Sequence, residues 1–197
     1  MKKVKIIGLT GQSGAGKTTI SSYLLSKGFA VIDADKVSRE VLSTNECKKE
    51  IAKFFGKEVF LKNGNIDRKK LAKKAFSAPE NVKTLNKIMH PEILKRIKLL
   101  LKECELTQNR VILDAPLLFE TKLDKICDVV IAVLADEKLR LERIISRDKI
   151  DQDTAKMRFY IQNEDTFYKC KADFIIFNDS SKEDLFTKVD EILAEID

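Results

Sequence analysis

The sequence predicts an α/β domain built on a parallel sheet. Three observations carry that reading. Short apolar runs rich in β-branched residues recur along the chain, helical patterns lie between them, and a glycine-rich loop stands at the first strand-to-helix junction.

The apolar runs are VKIIGLT at 4–10, AVID at 30–33, RVILD at 110–114, DVVIAVL at 128–134 and DFIIFN at 173–178. They alternate little between apolar and polar, as strands covered on both faces do. A helix is expected from about Lys17 to Lys27, with Gly28 as its C-terminal cap. The last helix is expected to begin near Ser180 or Ser181. Ser180 and Glu183 have capping-box spacing, and Leu185, Val189, Ile192, Leu193 and Ile196 form one apolar stripe.

Two intervals are too long for simple crossovers. Residues 34–109 contain several helical segments and no strand of core type, and residues 136–171 read as two helices rich in arginine and lysine. The first suits a substrate-binding insertion and the second a mobile lid. Ordinary sheet-covering helices would give the same pattern.

A chain of 197 residues is long enough for one compact domain with a small insertion. Its net charge of +6 suits anionic partners such as nucleotides, phosphates or nucleic acid, although solvated lysine faces give the same number. The cysteines are Cys47, Cys104, Cys127 and Cys170, and the only histidine is His90. They form no Cys-x-x-Cys pair and no familiar zinc spacing, so reduced thiols are expected. The N-terminal apolar run is too short for a signal peptide, and no segment reaches membrane-span length. These features point to a cytoplasmic protein without a membrane partner. Basic residues are not interleaved with aromatic ones in the way single-stranded nucleic acid requires, so no nucleic-acid partner is expected.

Chemistry concentrates first in Gly11-Gln12-Ser13-Gly14-Ala15-Gly16-Lys17-Thr18, which matches Gly-x-x-x-x-Gly-Lys-Ser/Thr. Glycines let the backbone wrap around phosphates, and successive N–H groups converge on the anion. The helix that follows adds its positive end. Lys17 then supplies a point charge to the β- and γ-phosphates, and the Thr18 hydroxyl reaches Mg²⁺.

Asp33-Ala34-Asp35 ends the second strand, where an open α/β sheet faces its ligand crevice. Two carboxylates there could hold Mg²⁺ or orient a substrate hydroxyl. The plainer alternative is a strand-end turn with Asp35 as the next helix's N-cap. Asp114 ends the third strand and has the position of a Walker-B acid, or is a structural aspartate. Arg140, Arg143 and Arg147 share a face of one predicted helix, as phosphate ligands or as a solvated stripe. His90 precedes Pro91, a residue suited to a first helical turn, so a helix entrance is expected there, with His90 capping it or meeting an anionic substrate.

These residues resemble the dephospho-CoA kinase family. The resemblance rests on GLTGQSGAGKTT (8–19), VIDAD (31–35), FFG (54–56), GNIDRKKL (64–71), HP (90–91), DAPLLFE (114–120), RLERIISRD (140–148) and ADFIIFN (172–178), in that order along most of the chain. It implies a P-loop kinase fold with a five-stranded parallel sheet flanked by helices, a helical substrate-binding insertion and a helical lid. In those terms the nucleotide-binding core is 1–34, 109–135 and 172–197, the region binding the CoA moiety is 35–108, and the lid is 136–171. It also implies ATP and Mg²⁺ as cofactors and dephospho-CoA as the substrate, phosphorylated on its ribose 3′-hydroxyl in the last step of coenzyme A synthesis. A monomer or weak homo-oligomer is expected.

Carried over by residue, the resemblance makes Asp35, Lys17 and Arg143 the catalytic set. Gly11, Gly14, Ala15, Gly16, Lys17, Thr18, Thr19, Arg147 and Asn178 become the nucleotide contacts. Asp33, Arg68, His90 and Pro116 become substrate contacts, and Thr18, Asp33 and Asp114 the metal ligands. The chain departs from the family at Gly-Gln-Ser-Gly-Ala-Gly, where Gly-Gly-Ile-Gly-Ser-Gly is usual. It departs again at Arg140, where glutamine is common, and at Asp179, where glycine follows the asparagine.

Two rival readings remain at this point. One is a P-loop kinase of a nucleoside or nucleotide. The other is a nucleotide switch or nucleic-acid ATPase, although Asn86-Lys87-Ile88-Met89 lacks the aspartate of a guanine-binding motif.

Overall fold

The five apolar runs become five strands in the computed structural model: β1 (Lys5–Gly11), β2 (Ala30–Asp33), β3 (Arg110–Asp114), β4 (Val129–Leu134) and β5 (Phe174–Phe177). The described residues are 4–160 and 162–196, without the side chains of Arg158 and Tyr160. The strands form one sheet in the order β2-β3-β1-β4-β5. β1 pairs in parallel with β3 on one side and β4 on the other, and β4 pairs in parallel with β5. The central strand is therefore the one that carries the glycine-rich loop at its C-terminal end. The strand order reverses direction at that point, where open α/β sheets bind ligands.

The chain divides into two compact units. The first runs up to Ile32 and resumes at Cys104, and it contains the sheet. On one face, α1 (Lys17–Ser26) and α9 (Lys182–Glu195) cover the strands, so Ile7, Leu9, Ile20, Leu24, Val189 and Leu193 share one buried cluster. Tyr23 of α1 stacks on Phe186 of α9 with ring centroids 3.9 Å apart. The stripe expected on the last helix is thus its core face. Its cap is Ser181, whose hydroxyl accepts from the Asp184 N–H at 3.1 Å, and not Ser180. One residue decides between them, because the serine that is extended just before the first turn takes the bond.

The second unit, Asp33–Glu103, is helical: α2 (Ala34–Leu42), α3 (Asn45–Phe55), α4 (Arg68–Ala75) and α5 (Pro79–Cys104), which runs one residue past its border. A single antiparallel bridge, Phe60 to Ile66, interrupts the helices. Val37, Val41, Ile51, Phe55, Leu71 and Ile97 are among its buried residues. The α2 cap is Asp33, which accepts from the Lys36 N–H at 2.9 Å, while Asp35 lies inside the first turn. In the plainer alternative of a strand-end turn, the cap is therefore Asp33 and not Asp35.

The helix entrance expected at His90-Pro91 does not exist. α5 runs continuously through Pro91, and its start is at Ala78-Pro79, where the Ala78 carbonyl accepts from Asn81 and Val82. Pro79 is the proline with its missing N–H at a free end. Pro91 sacrifices one internal bond, and burial of Met89, Ile97 and Leu101 along the same helix keeps the two halves together. His90 is a half-buried helix-interior residue, and burial lowers its pKa from the ordinary imidazole value.

Between β4 and β5 lie three helices where two were expected: α6 (Glu137–Asp148), α7 (Gln152–Tyr160) and α8 (Asp165–Lys169). The last has only five residues, too few for a legible periodicity. It packs its buried Tyr168 near Phe119 and Phe167. None of the helices in the described residues is long and apolar enough to cross a membrane.

Two thiols are pushed up by burial, Cys47 to about 11 and Cys127 to about 12, whereas Cys170 is exposed. Since the thiolate is the reactive form, iodoacetamide at pH 8 should label Cys170 at least about a hundredfold faster than Cys47 or Cys127 in native protein. Mass spectrometry of timed samples reads the order, and urea should abolish it.

Candidate active site

The loop between β1 and α1 is folded tightly against three neighbours. At Gly16 the backbone is left-handed, with φ 101°, and a Cβ built there would lie 2.2 Å from Asn178 Nδ2. At Gly11 a Cβ would lie 2.2 Å from the Val133 carbonyl oxygen. Side chains are excluded at both positions, so backbone amides form the surface of the loop. Gly16 is also the N-cap of α1 and provides no side-chain cap. The Thr19 N–H bonds the Gly16 carbonyl at 3.0 Å, and the N–H groups of Lys17 and Thr18 at the helix start face no side-chain cap, which suits an external anion.

This loop fits a polyphosphate on its own geometry: excluded side chains, an uncapped helix start and a lysine at the first helical position. Lys17 Nζ meets the Asp114 carboxylate, and the Ser21 hydroxyl donates to the other oxygen of the same group. Asp114 and Ser21 are both buried. An aspartate at the end of β3 therefore holds the ammonium in place, and Ser21, one helical turn beyond Lys17, orients the aspartate. Thr18 is exposed in the first turn. A hydroxyl and a carboxylate are hard oxygen donors, suited to a Mg²⁺ ion that keeps water and phosphate oxygens as its other ligands. Among the described residues no cluster of three or more His, Cys, Asp or Glu could form an all-protein metal cage.

Two of the three arginines of α6 reach the loop. Arg143 donates to the Gly14 carbonyl at 3.4 Å and to the Asn178 carbonyl at 3.1 Å. Arg140 is buried and donates to the Ser13 carbonyl at 3.2 Å. Burial lowers its pKa from the usual arginine value, opposed by the nearby carboxylates Asp165 and Glu137. Arg147 is different. It is exposed and makes a two-pronged ion pair with Asp148 at 2.7 and 3.0 Å, which raises its pKa.

Asn178, at the end of β5, is buried and donates from Nδ2 to the Ala15 carbonyl at 2.7 Å. Behind the loop, the Thr10 hydroxyl donates to the Pro116 carbonyl at 3.1 Å and ties β1 to the segment after β3.

The remaining residues singled out in the sequence belong to the helical unit. Asp33 spends one carboxylate oxygen on its cap, and Asp35 is exposed on the first turn of α2. Arg68 is the exposed first residue of α4, behind Asp67, which caps that helix. His90 lies within α5.

A buried aspartate against the loop lysine, with arginines closing over the loop, is the arrangement of a phosphoryl-transfer site. The family model for dephospho-CoA kinase matches residues 5–184, nearly the whole chain. The chain belongs to the dephospho-CoA kinase family. A dephospho-CoA kinase from Fusobacterium nucleatum is 43% identical over 195 residues, 98% of this chain and 99% of that protein. The crystal structure of TT1252 from Thermus thermophilus superposes with a TM-score of 0.85 at 30% identity, over 100% of both chains. That of dephospho-CoA kinase from Campylobacter jejuni gives 0.65 at 28% identity, covering 98% of each chain.

Several residues that contact the loop or its partners were not singled out from the sequence. Ser21 was legible in principle, since position i+4 from Lys17 falls on the same helix face. Gln12, Gln162 and Asp165 were not. Gln12 Nε2 donates to the Asn163 carbonyl at 3.3 Å and to Asp165 at 3.0 Å, contacts separated by about 150 residues of chain.

Gly16→Ala should lower the unfolding free energy by about 2–4 kcal/mol, from the clash with Asn178 and the left-handed backbone together. Asn178→Ala removes the clash together with the Asn178–Ala15 hydrogen bond, so the double variant is compared with Asn178→Ala alone. It should be less stable than that single variant by about 1–3 kcal/mol in urea titration, and equal stability of the two would show that the backbone is unstrained.

Proposed function

We propose that this chain transfers the γ-phosphoryl group of ATP to the ribose 3′-hydroxyl of dephospho-CoA, giving coenzyme A and ADP, the last step of coenzyme A synthesis. One observation carries the reading: a chain matched to the family over residues 5–184 keeps an intact phosphate loop with Lys17 held against the buried Asp114.

The roles follow from where each group sits. The loop amides and the start of α1 bind the phosphates, with Lys17 neutralising the β- and γ-phosphates. Bound ATP supplies the transferable phosphoryl group, and Mg²⁺ supplies charge neutralisation across its phosphates. In this reading Thr18, Asp33 and Asp114 would hold that ion. Arg143 bonds the Gly14 carbonyl of the loop and the Asn178 carbonyl beside it, where a guanidinium can stabilise the charge of the transferring group. Ala15, Thr19, Arg147 and Asn178 complete the nucleotide contacts in this reading.

Asp35 is assigned to the acceptor hydroxyl. Its support is that β2 belongs to the sheet and leads directly into α2, so Asp35 follows the C-terminal end of a sheet strand and is exposed. Accepting a hydrogen bond from the hydroxyl aligns it for attack. In a loose transition state such positioning matters more than removal of the proton. The helical unit is assigned to dephospho-CoA, through Arg68 and His90, with Pro116 as a further contact. Residues 136–171 are assigned as the lid, which excludes water that would otherwise hydrolyse ATP. With this reading goes a cytoplasmic enzyme, monomeric or weakly self-associating.

ADP release should be stimulated by dephospho-CoA and not by adenosine, AMP or the absence of acceptor, with coenzyme A as the product. Equal ADP release in every tube would reduce the chain to an ATPase. Lys17→Ala should abolish turnover. Asp35→Asn should lower kcat by about a hundredfold, within the range of positioned acid–base groups, while ATP binding by calorimetry persists. A fully active Asp35→Asn enzyme would remove that carboxylate from the mechanism.

A further inference from the structure

The phosphate loop is gripped from the lid side through one amide oxygen. Gln162, between α7 and α8, accepts at its Oε1 from the Ser13 N–H at 3.1 Å and from Arg140 Nη2 at 3.3 Å. Arg140 Nε in turn donates to the Ser13 carbonyl at 3.2 Å. Both polar groups of Ser13's backbone are therefore held by two side chains that also bond each other. Arg140 is only 6% exposed, and its guanidinium lies 4.4 Å from the centre of the Phe159 ring. A buried guanidinium fixed by stacking on one side has little freedom to seek other acceptors. Gln12, one residue earlier, clasps the Asn163 carbonyl and Asp165. Asn163 Nδ2 reaches Glu120 at 2.5 Å.

We propose that Gln162 is a positioning residue for nucleotide binding. Its shared oxygen fixes the Ser13–Gly14 stretch and so holds the loop in anion-binding shape before the nucleotide arrives. The physical basis is preorganisation: a loop already ordered loses less freedom when the anion binds. Arg140 is the partner that makes the glutamine oxygen specific. Removing this acceptor leaves a buried cation and a loop N–H each short of one bond, and the loop relaxes to satisfy them. The Ser13 N–H is committed to Gln162, so the amides left to the phosphates begin at Gly14. The inference rests on the nucleotide-binding part of the proposed function and is independent of which acceptor is phosphorylated.

The test compares Gln162→Met, which keeps the length and loses the acceptor, with Gln162→Glu, which keeps an acceptor oxygen. Gln162→Asn, one methylene short, replaces the Met variant if that one does not fold. The readouts are Ser13 amide exchange in nucleotide-free protein by NMR, Mg·ADP affinity by calorimetry, and the split between KM for ATP and kcat. Losing one hydrogen bond to a charged partner should speed Ser13 exchange and weaken Mg·ADP binding, each by about tenfold. KM for ATP should rise by a similar factor with kcat nearly unchanged, and Gln162→Glu should lie near wild type in all three. Wild-type affinity in Gln162→Met overturns the proposal, as does faster Ser13 exchange without weaker binding. Equal loss in the Met and Glu variants also overturns it, because it would indicate bulk packing. A wild-type chain that bound no nucleotide would sink both this inference and its parent. A chain that bound nucleotide but phosphorylated another acceptor would sink only the parent's choice of substrate.

Discussion

The structure depends on one constraint: the backbone after β1 must come so close to its neighbours that no side chain fits. Gly11 lies against β4, Gly14 against the backbone of α6, and Gly16 against Asn178. Each contact is made by a different part of the chain, and two of the three also carry a group that touches the loop. Asn178 holds the Ala15 carbonyl, and α6 delivers Arg140 and Arg143. The close approach that shapes the loop therefore also places its ligands. The motif follows the central strand, β1, which is flanked by β3 on one side and β4 on the other.

Electrostatics inside the loop follow from the same packing. Lys17 and Asp114 are largely withdrawn from water, with side chains 14% and 11% exposed. An ion pair in such a place recovers its desolvation only if its geometry is completed by further bonds, and Ser21 supplies one to the second oxygen of Asp114. The polar groups around the loop are largely partnered in this way. The exception among the buried side-chain atoms of the described residues is the Gln12 oxygen, whose amide nitrogen is fully engaged with the segment after α7. Anchoring that segment through Gln12 thus leaves one buried acceptor unsatisfied. This contact favours order in the loop over maximal hydrogen bonding.

What the sequence made legible follows the range of the interactions involved. Strands buried on both faces announce themselves as apolar runs, and AVID and RVILD became β2 and β3 with the same ends. The phosphate loop is contiguous, so its spacing alone identified it, and Lys17 sits where the motif puts it. Errors came where one residue type serves two purposes. Pro91 looked like a helix start because proline is favoured there, yet burial along α5 carries the helix through it. Asp33 and Asp35 are separated by one residue, and the bond from the Lys36 N–H to the Asp33 carboxylate shows which of them caps α2. Gln162 and Asp165 were beyond reach, since they meet the loop across about 150 residues without a local pattern. Arg140 stood out as a departure from the family, but its partners Ser13 and Phe159 give it a meaning that position alone does not.

Charge is divided between the two units in a way the net value conceals. Asp33–Glu103 carries 18 Lys and Arg against 10 Asp and Glu, a net +8. The total is +6, so the sheet unit is left at 6 − 8 = −2. The sheet unit therefore binds anions by local means, through loop amides, a helix start and a few placed cations, and not by its overall field. The helical unit is the reverse: its excess of positive charge is spread over exposed side chains such as Arg68, Lys69 and Lys73 on α4. A broad field draws in a charged ligand without selecting its orientation, whereas a preformed loop selects shape. Two anions must be bound for phosphoryl transfer between them. A preformed loop suits a ligand whose phosphates must be aligned, and a diffuse field suits one that is drawn in without a fixed orientation.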